Sequence, residues 1–406
     1  MIRVAITGIG IVSPFGRGKR AAVEALRAGR SGVRLIESID TSGLSCRIGG
    51  EVPREAHEGL VKGHDRFTRF AVIAAEEACE QANFATANFE QERVGSIIGT
   101  GMGGCEMLDA GYRRIYGENA TRVPPTTIAW SMYNAAASVV ATRFGAKGLA
   151  YAVVSACASG AHAIGQAFRA IRSGEMDAVL AGGSDAPLTY GSIRSWESMR
   201  VMAIDNEHPE AASRPFSADR KGFVLAEGAA VLVLESFESA RRRGQTILGE
   251  IVGFGMTSDA GHITDPSADG AARAIALALR DGGLTADDVG YINAHGTATK
   301  ANDVTETKAI KTVLGPRAFE VPVSSTKSMH GHAMGASGAI KIASSLAALN
   351  EGFLPPTINL DAPDPECDLD TVANVARDAN AALFLSSSFG FGGMNGVVAV
   401  RTVHGL

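Results

Sequence analysis

The stretch YAVVSACASGAHAIGQAF, residues 151–168, starts as a short apolar, β-branched run, breaks at a cluster of small residues around Cys157, and resumes as an alanine-rich helical pattern. It reads as a strand, a sharp turn and a helix. A segment of similar design lies far downstream, where an apolar run through Leu385 ends in the small-residue turn that closes at Gly393. The repetition suggests an internally duplicated α/β chain.

Working outward, short apolar runs bounded by glycine alternate with amphipathic, alanine-rich stretches, the pattern of sheets covered by helices. Strands are predicted at 4–12, 94–98, 150–154, 178–181 and 229–235, with helices at 21–28 and 69–82. After the basic turn at 241–244 the plan begins again, with strands at 248–254, 290–294, 321–324 and 382–386 and a helix at 270–280. Two halves are therefore expected, 1–245 carrying Cys157 and 246–406 carrying the histidines discussed below.

Apolar residues form 46% of the 406, charged residues 20%, and the 48 glycines are dispersed, so the chain is globular rather than disordered. The five cysteines form no C-x-x-C pair, which points to a reducing compartment rather than a disulfide framework. The first apolar run carries Gly8 and Gly10 and leads to Pro14 without a signal-peptide cleavage pattern, and no segment has the length of a membrane span. A cytoplasmic enzyme is expected. A net charge of -5 gives no footing for nucleic acid, though Lys62, Arg66 and Arg69 cluster on a helical stretch and could form a local basic patch.

Cys157 falls at the turn before a helix, where unpaired N–H groups and the positive end of the dipole favour a thiolate and can hold an oxyanion during attack on a thioester. Cys46, Cys79, Cys105 and Cys367 lack such a setting and are assigned to packing. His295, in NAHGTAT, emerges at a strand end with Thr297 and Thr299 close behind. Lys327 and His332 share a small-residue loop, SSTKSMHGHAMGASGA, that runs into a helix. His330 and His332 form an H-x-H pair without a third ligand of convincing spacing, so no metal is expected. Two neutral imidazoles suit the enolate formed when a malonyl thioester loses carbon dioxide, and a lysine adds positive field. Glu306, on the helix after His295, is expected to pair with Lys327.

The segments VVSACASGAHAIG, AVLAGGSDA, SRPFSADRKGFV, NAHGTATKAND, SSTKSMHGHAMGASGA, PPTINLD and SFGFGGMNG, in this order and spacing, resemble the elongating beta-ketoacyl-ACP synthases over nearly the whole chain. The resemblance implies a thiolase-like fold of five layers, α-β-α-β-α, from two duplicated halves. It implies that Cys157 takes an acyl chain from acyl carrier protein and that His295 and His332 promote decarboxylation and condensation. Lys327 and Glu306 fall on the family's supporting ion pair, and Thr297 and Thr299 on contacts to the phosphopantetheine arm. Phe391 matches the gate whose N–H shares the oxyanion hole with that of Cys157, while Met102 and Trp196 match the acyl pocket. Carrier-bound substrates and no separate cofactor are implied, with acyl carrier protein as partner and a homodimer, or a heterodimer with a chain-length-factor-like subunit. The carrier's acidic helices would meet Lys62, Arg66 and Arg69.

Lys221, Ala226, Ser387, Lys300 and Met394 depart from the usual pattern without removing a catalytic group, which is compatible with a specialised polyketide, polyene or signalling-lipid pathway. An intact Cys157 speaks against a chain-length factor itself. The C-terminal loop has no second cysteine, against a degradative thiolase, and His332 stands where the initiating synthases carry asparagine.

Overall fold

The computed structural model describes all 406 residues. The first half supplies β1 (Val4–Ser13), α1 (Arg66–Gln81), β2 (Val94–Gly99), α2 (Ala135–Phe144), β3 (Ala150–Val153), α3 (Ser159–Arg172), β4 (Ala178–Asp185) and β5 (Gly228–Ser236). The second supplies β6 (Gly249–Ser258), α4 (Ala268–Asp281), β7 (Tyr291–Asn293), α5 (Lys300–Leu314), β8 (Val323–Ser324), α6 (Ser337–Asn350), β9 (Leu383–Gly390) and β10 (Met394–Thr402).

In the first half the strands lie in the order β3-β2-β4-β5-β1, and in the second β8-β7-β9-β10-β6, so that adding five to each number converts one into the other. Strand directions repeat too. β2 runs parallel to β3 and β4, β4 antiparallel to β5 and β5 to β1, just as β7 runs parallel to β8 and β9, β9 antiparallel to β10 and β10 to β6. The half-sheets join where β1 meets β6 over three residue pairs, Val4 to Ile6 against Ile251 to Gly249.

Both faces of each half-sheet are covered, which is why strands such as β1 and β5 are apolar almost throughout instead of alternating. The middle layer is α3 and α6, whose Ala161, Ile164, Phe168, Ala339, Ile340 and Leu346 share one core with strands of both halves. α1 and α2 cover the outer face of the first half-sheet. α4 and α5 cover that of the second, completing five layers. The two central helices approach closely because small residues face each other: a Cβ on Gly338 would meet the Ala161 nitrogen at 2.7 Å.

Three of the named elements depart from the sequence reading. The strand expected at 321–324 shrinks to two residues, and the helix α2 and the hairpin partner β10, residues 394–402, lie outside the expected elements. No helix is long and apolar enough to cross a membrane.

Candidate active site

Cys157 sits between β3 and α3, after Ala156 in the left-handed region at φ 49°. Ser159 ties the turn together, its Oγ accepting from the Ser155 N–H at 2.8 Å and donating to the Ala156 carbonyl at 2.7 Å. The expected helix-stabilised thiolate is corrected here. α3 begins two residues later, and burial pushes the thiol up to about 11, outweighing Lys327 and the N–H groups of Phe391 and of Cys157 itself, which act in the opposite direction. The resting sulfur is a thiol with a cation and two amides beside it.

His295 follows β7, and its N–H and that of Gly296 donate to the two oxygens of buried Glu306 at 2.7 and 2.8 Å. Lys327 Nζ donates to the His295 carbonyl at 2.5 Å and lies 3.5 Å from its Nδ1. His332 Nε2 is 3.1 Å from Cys157 Sγ, and its Nδ1 is 2.8 Å from Ser337 Oγ on the first turn of α6. The two imidazoles meet edge to face, 5.5 Å apart at 85°. Burial first, then the charge of Lys327, holds both well below the usual histidine value, so both are neutral. Lys327 is itself drawn down to about 8 by burial, against the opposing charge of Glu306.

The expected Glu306–Lys327 ion pair is not a direct one. Each carboxylate oxygen accepts one amide at the strand end and the ammonium is aimed at a carbonyl, so the two act on each other only through their fields. His330 turns away, its ring nitrogens against the Gly331 carbonyl and Thr326 Oγ1, so the H-x-H pair does not converge. The donor atoms of Cys157, His295 and His332 do lie within 4.8 Å of one another. The charges of Lys327 and Lys341, which disfavour protonation of both imidazoles, equally disfavour a divalent cation among them.

Cys157, His295 and His332 line a cavity of about 140 Å³ together with Thr297, Thr299 and Phe391. The two threonine hydroxyls are 2.9 Å apart, and Phe391 stacks on Trp196 at 5.9 Å. Trp196 also borders a second pocket of about 430 Å³ that holds Met102, Leu108, Tyr112 and Met199, so the indole stands between the two spaces.

The expected basic trio does not form one surface. Arg66 is buried, bridging Glu106 and Glu227 and donating to the Leu188 carbonyl, because α1 turns that side of its first turn inward. Arg69 is half-buried on Glu106, and Lys62 alone is exposed.

Sequence reasoning missed Asp185, at the end of β4, which accepts from Thr100 Oγ1 and from the N–H groups of Gly101, Met102 and Gly335 at 2.6 to 2.9 Å. It clamps the loop after β2 to the loop after His332, and burial lifts its carboxyl to about 6. A carboxylate ending a run as apolar as AVLAGGSD was the available signal, since such a group is buried only with partners. Ser337 and Lys341 were missed as well. Each site loop also carries a non-glycine residue at positive φ, Ala156, Ala298 and Met334, an arrangement kept only where surrounding contacts enforce it.

A cysteine on a strand-to-helix turn, two neutral imidazoles on one cavity and a duplicated five-layered α/β frame define a condensing acyltransferase of thiolase-like fold. The profile of the beta-ketoacyl synthase N-terminal domain matches residues 1–240, and that of the C-terminal domain residues 248–361. The chain belongs to the beta-ketoacyl synthase family, on the side of the type 2 synthases. It is 44% identical over 406 residues to the 3-oxoacyl-[acyl-carrier-protein] synthase 2 of Synechocystis sp., covering 98% of each chain. Among solved structures it is similar to a type II PKS acyl-carrier protein in complex with its ketosynthase bound to the hexaketide, at TM-score 0.92 and 35% identity, covering 99% of this chain and 100% of the other. The ishigamide ketosynthase/chain length factor is equally similar, at TM-score 0.92 and 35% identity with 99% of both chains covered.

Proposed function

We propose that this chain condenses an acyl group held on Cys157 with a malonyl group carried on acyl carrier protein, giving a 3-oxoacyl-carrier product and carbon dioxide. The observation that carries the reading is the single cavity in which Cys157 Sγ, at 3.1 Å from His332, faces two imidazoles kept neutral by burial and by Lys327.

In the first half-reaction Sγ attacks the acyl thioester. His332 Nε2 accepts the thiol proton and delivers it to the departing carrier thiol, while the N–H groups of Cys157 and Phe391 hold the oxyanion. Ser337 Oγ can donate or accept, so it supports either tautomer of His332. In the second, the malonyl carboxylate leaves as carbon dioxide and the enolate oxygen is held by N–H groups of His295 and His332. The enolate carbon attacks the acyl-cysteine carbonyl, and the expelled thiolate takes up one proton. Thr297 and Thr299 are suited to the amides of the phosphopantetheine arm, Phe391 to gating the cavity, and Met102 and Trp196 to bounding the acyl chain. The reaction calls for no further cofactor.

The carrier protein is the partner, with Lys62 the surviving member of the basic trio. The unpaired outer edge of β3 suits a second copy or a chain-length-factor-like subunit, as in the ishigamide pair. We place the boundary between the halves near residue 245, a reading supported by the repeated strand order on either side of it. A specialised polyketide or polyene pathway is the second reading, favoured by the two ketosynthase neighbours.

Incubation with acyl carrier protein bearing an acyl group should give an adduct on Cys157, detected by intact mass before any malonyl donor is added. Acylation that persists in Cys157→Ala overturns the assignment. His295→Ala should still acylate but release no carbon dioxide from the malonyl donor; full release counts against its role.

A further inference from the structure

Lys341, on the second turn of α6, has no exposed surface and takes no part in the steps above. Its Nζ donates to the carbonyls of Asn293 and Ala294 at 3.2 and 2.8 Å and to that of Ser387. Three acceptors around one nitrogen require three hydrogens, which only the ammonium form offers, because a neutral amine would turn its lone pair against a carbonyl oxygen. Burial and the charge of Lys327 act to lower its pKa, and the charge of Glu306 opposes them.

The three carbonyls belong to segments that carry the chemistry. Asn293 and Ala294 immediately precede His295. Ser387 lies on β9, which leads to Phe389 and the Phe391 loop, and α6 itself begins with Ser337, the partner of His332. We propose that Lys341 is a built-in cation of the active site, a positioning residue that pins the His295 strand end and the strand before the Phe391 loop to the central helix. Its charge bears directly on both rings. The other ionisable groups facing them are Cys157 from the β3–α3 turn, Asp185 from β4, Glu306 and Asp303 from α5, and Lys327 and His330 from the helix Lys327–His330, with Asp259 across the cavity. Among these the two lysines are the groups whose positive charge disfavours imidazolium, so removing one raises the imidazole pKa values.

The inference rests on the proposed function, and the test separates the two. Lys341→Met and Lys341→Gln are compared with the unmodified protein for acylation of Cys157, read by mass, and for carbon dioxide release from malonyl-carrier protein across pH. Both variants should acylate, which shows that they fold, yet release carbon dioxide about tenfold to a hundredfold more slowly. Their acid limb should move upward by roughly one pH unit as the histidines protonate more easily. Lys341→Gln keeps a donor without the charge and covers the case in which the methionine variant does not fold. A variant that keeps the unmodified rate within about twofold, or slows equally at every pH with its limb unmoved, overturns the proposal. An unmodified protein that releases no carbon dioxide sinks the functional reading instead.

Discussion

Glu306 has both oxygens committed to the amides of His295 and Gly296, so its substitution tests whether the strand end is held from below. Glu306→Ala leaves two buried N–H groups unpaired and should cost about 3 kcal/mol, seen as a lower Tm, along with loss of decarboxylation. Glu306→Gln retains one acceptor and should recover part of both; an alanine variant as stable as the parent contradicts the arrangement. Lys327 sets a pH dependence of definite sign. It is charged below about 8 and neutral above, and its charge favours an enolate forming beside it. Carbon dioxide release should therefore fall as pH rises through that value, and Lys327→Met should lack the limb. A parent rate that keeps climbing beyond it removes Lys327 from this role. Cys157 and His295 were legible because each follows an apolar run and stands among small residues, and His332 because it lies in a small-residue loop that runs into a helix. The true partners of Glu306 and Arg66 were not, since they depend on where backbone amides and neighbouring loops lie after folding.

At the scale of elements, the strands of the first half were readable to within a few residues because glycine and polar turns bound each apolar run. β10 escaped because it starts directly after the Gly392–Gly393 turn, at positive φ, and is buried on both faces, so its run shows no alternation from which a strand could be read. α2 escaped because Ala135, Ala136, Ala137 and Ala141 give an inward face without a strong contrast to the outward one. The crossing of α3 and α6 carries the energetics of the site, since one follows Cys157 and the other begins at Ser337, the partner of His332. An added methyl on Gly338 meets the Ala161 nitrogen at 2.7 Å and its Cβ at 3.0 Å. Gly338→Ala should cost about 2 kcal/mol through strain and push the two helices apart. The contact of 3.1 Å between His332 and Cys157 then lengthens, so acylation should slow even at temperatures where the variant is fully folded. Unchanged acylation with an unchanged Tm would show that the crossing absorbs the methyl without moving the site.

For the whole molecule, the question is what covers β3. It ends the sheet with an unpaired edge, Tyr151 on it and Val154 just after it are exposed, and α2 packs beside it after a segment in which Tyr112, Tyr116, Ile128, Met132 and Tyr133 are also exposed. An apolar edge of this kind invites strand pairing unless a partner occupies it. Tyr112 is exposed and lines the pocket holding Met102, so a partner that reached from the β3 edge to this segment would close the space proposed for the acyl chain. The protein should scatter light as a dimer, and the double variant Tyr151→Asp, Val154→Lys should scatter as a monomer, because charges on an edge strand oppose pairing. The monomer keeps Cys157, His295 and His332 in place, so it should still acylate with a short chain while losing preference among longer ones. A double variant that stays dimeric moves the interface to another face, and a parent that is monomeric alone but pairs with a chain-length-factor-like subunit assigns the edge to that partner.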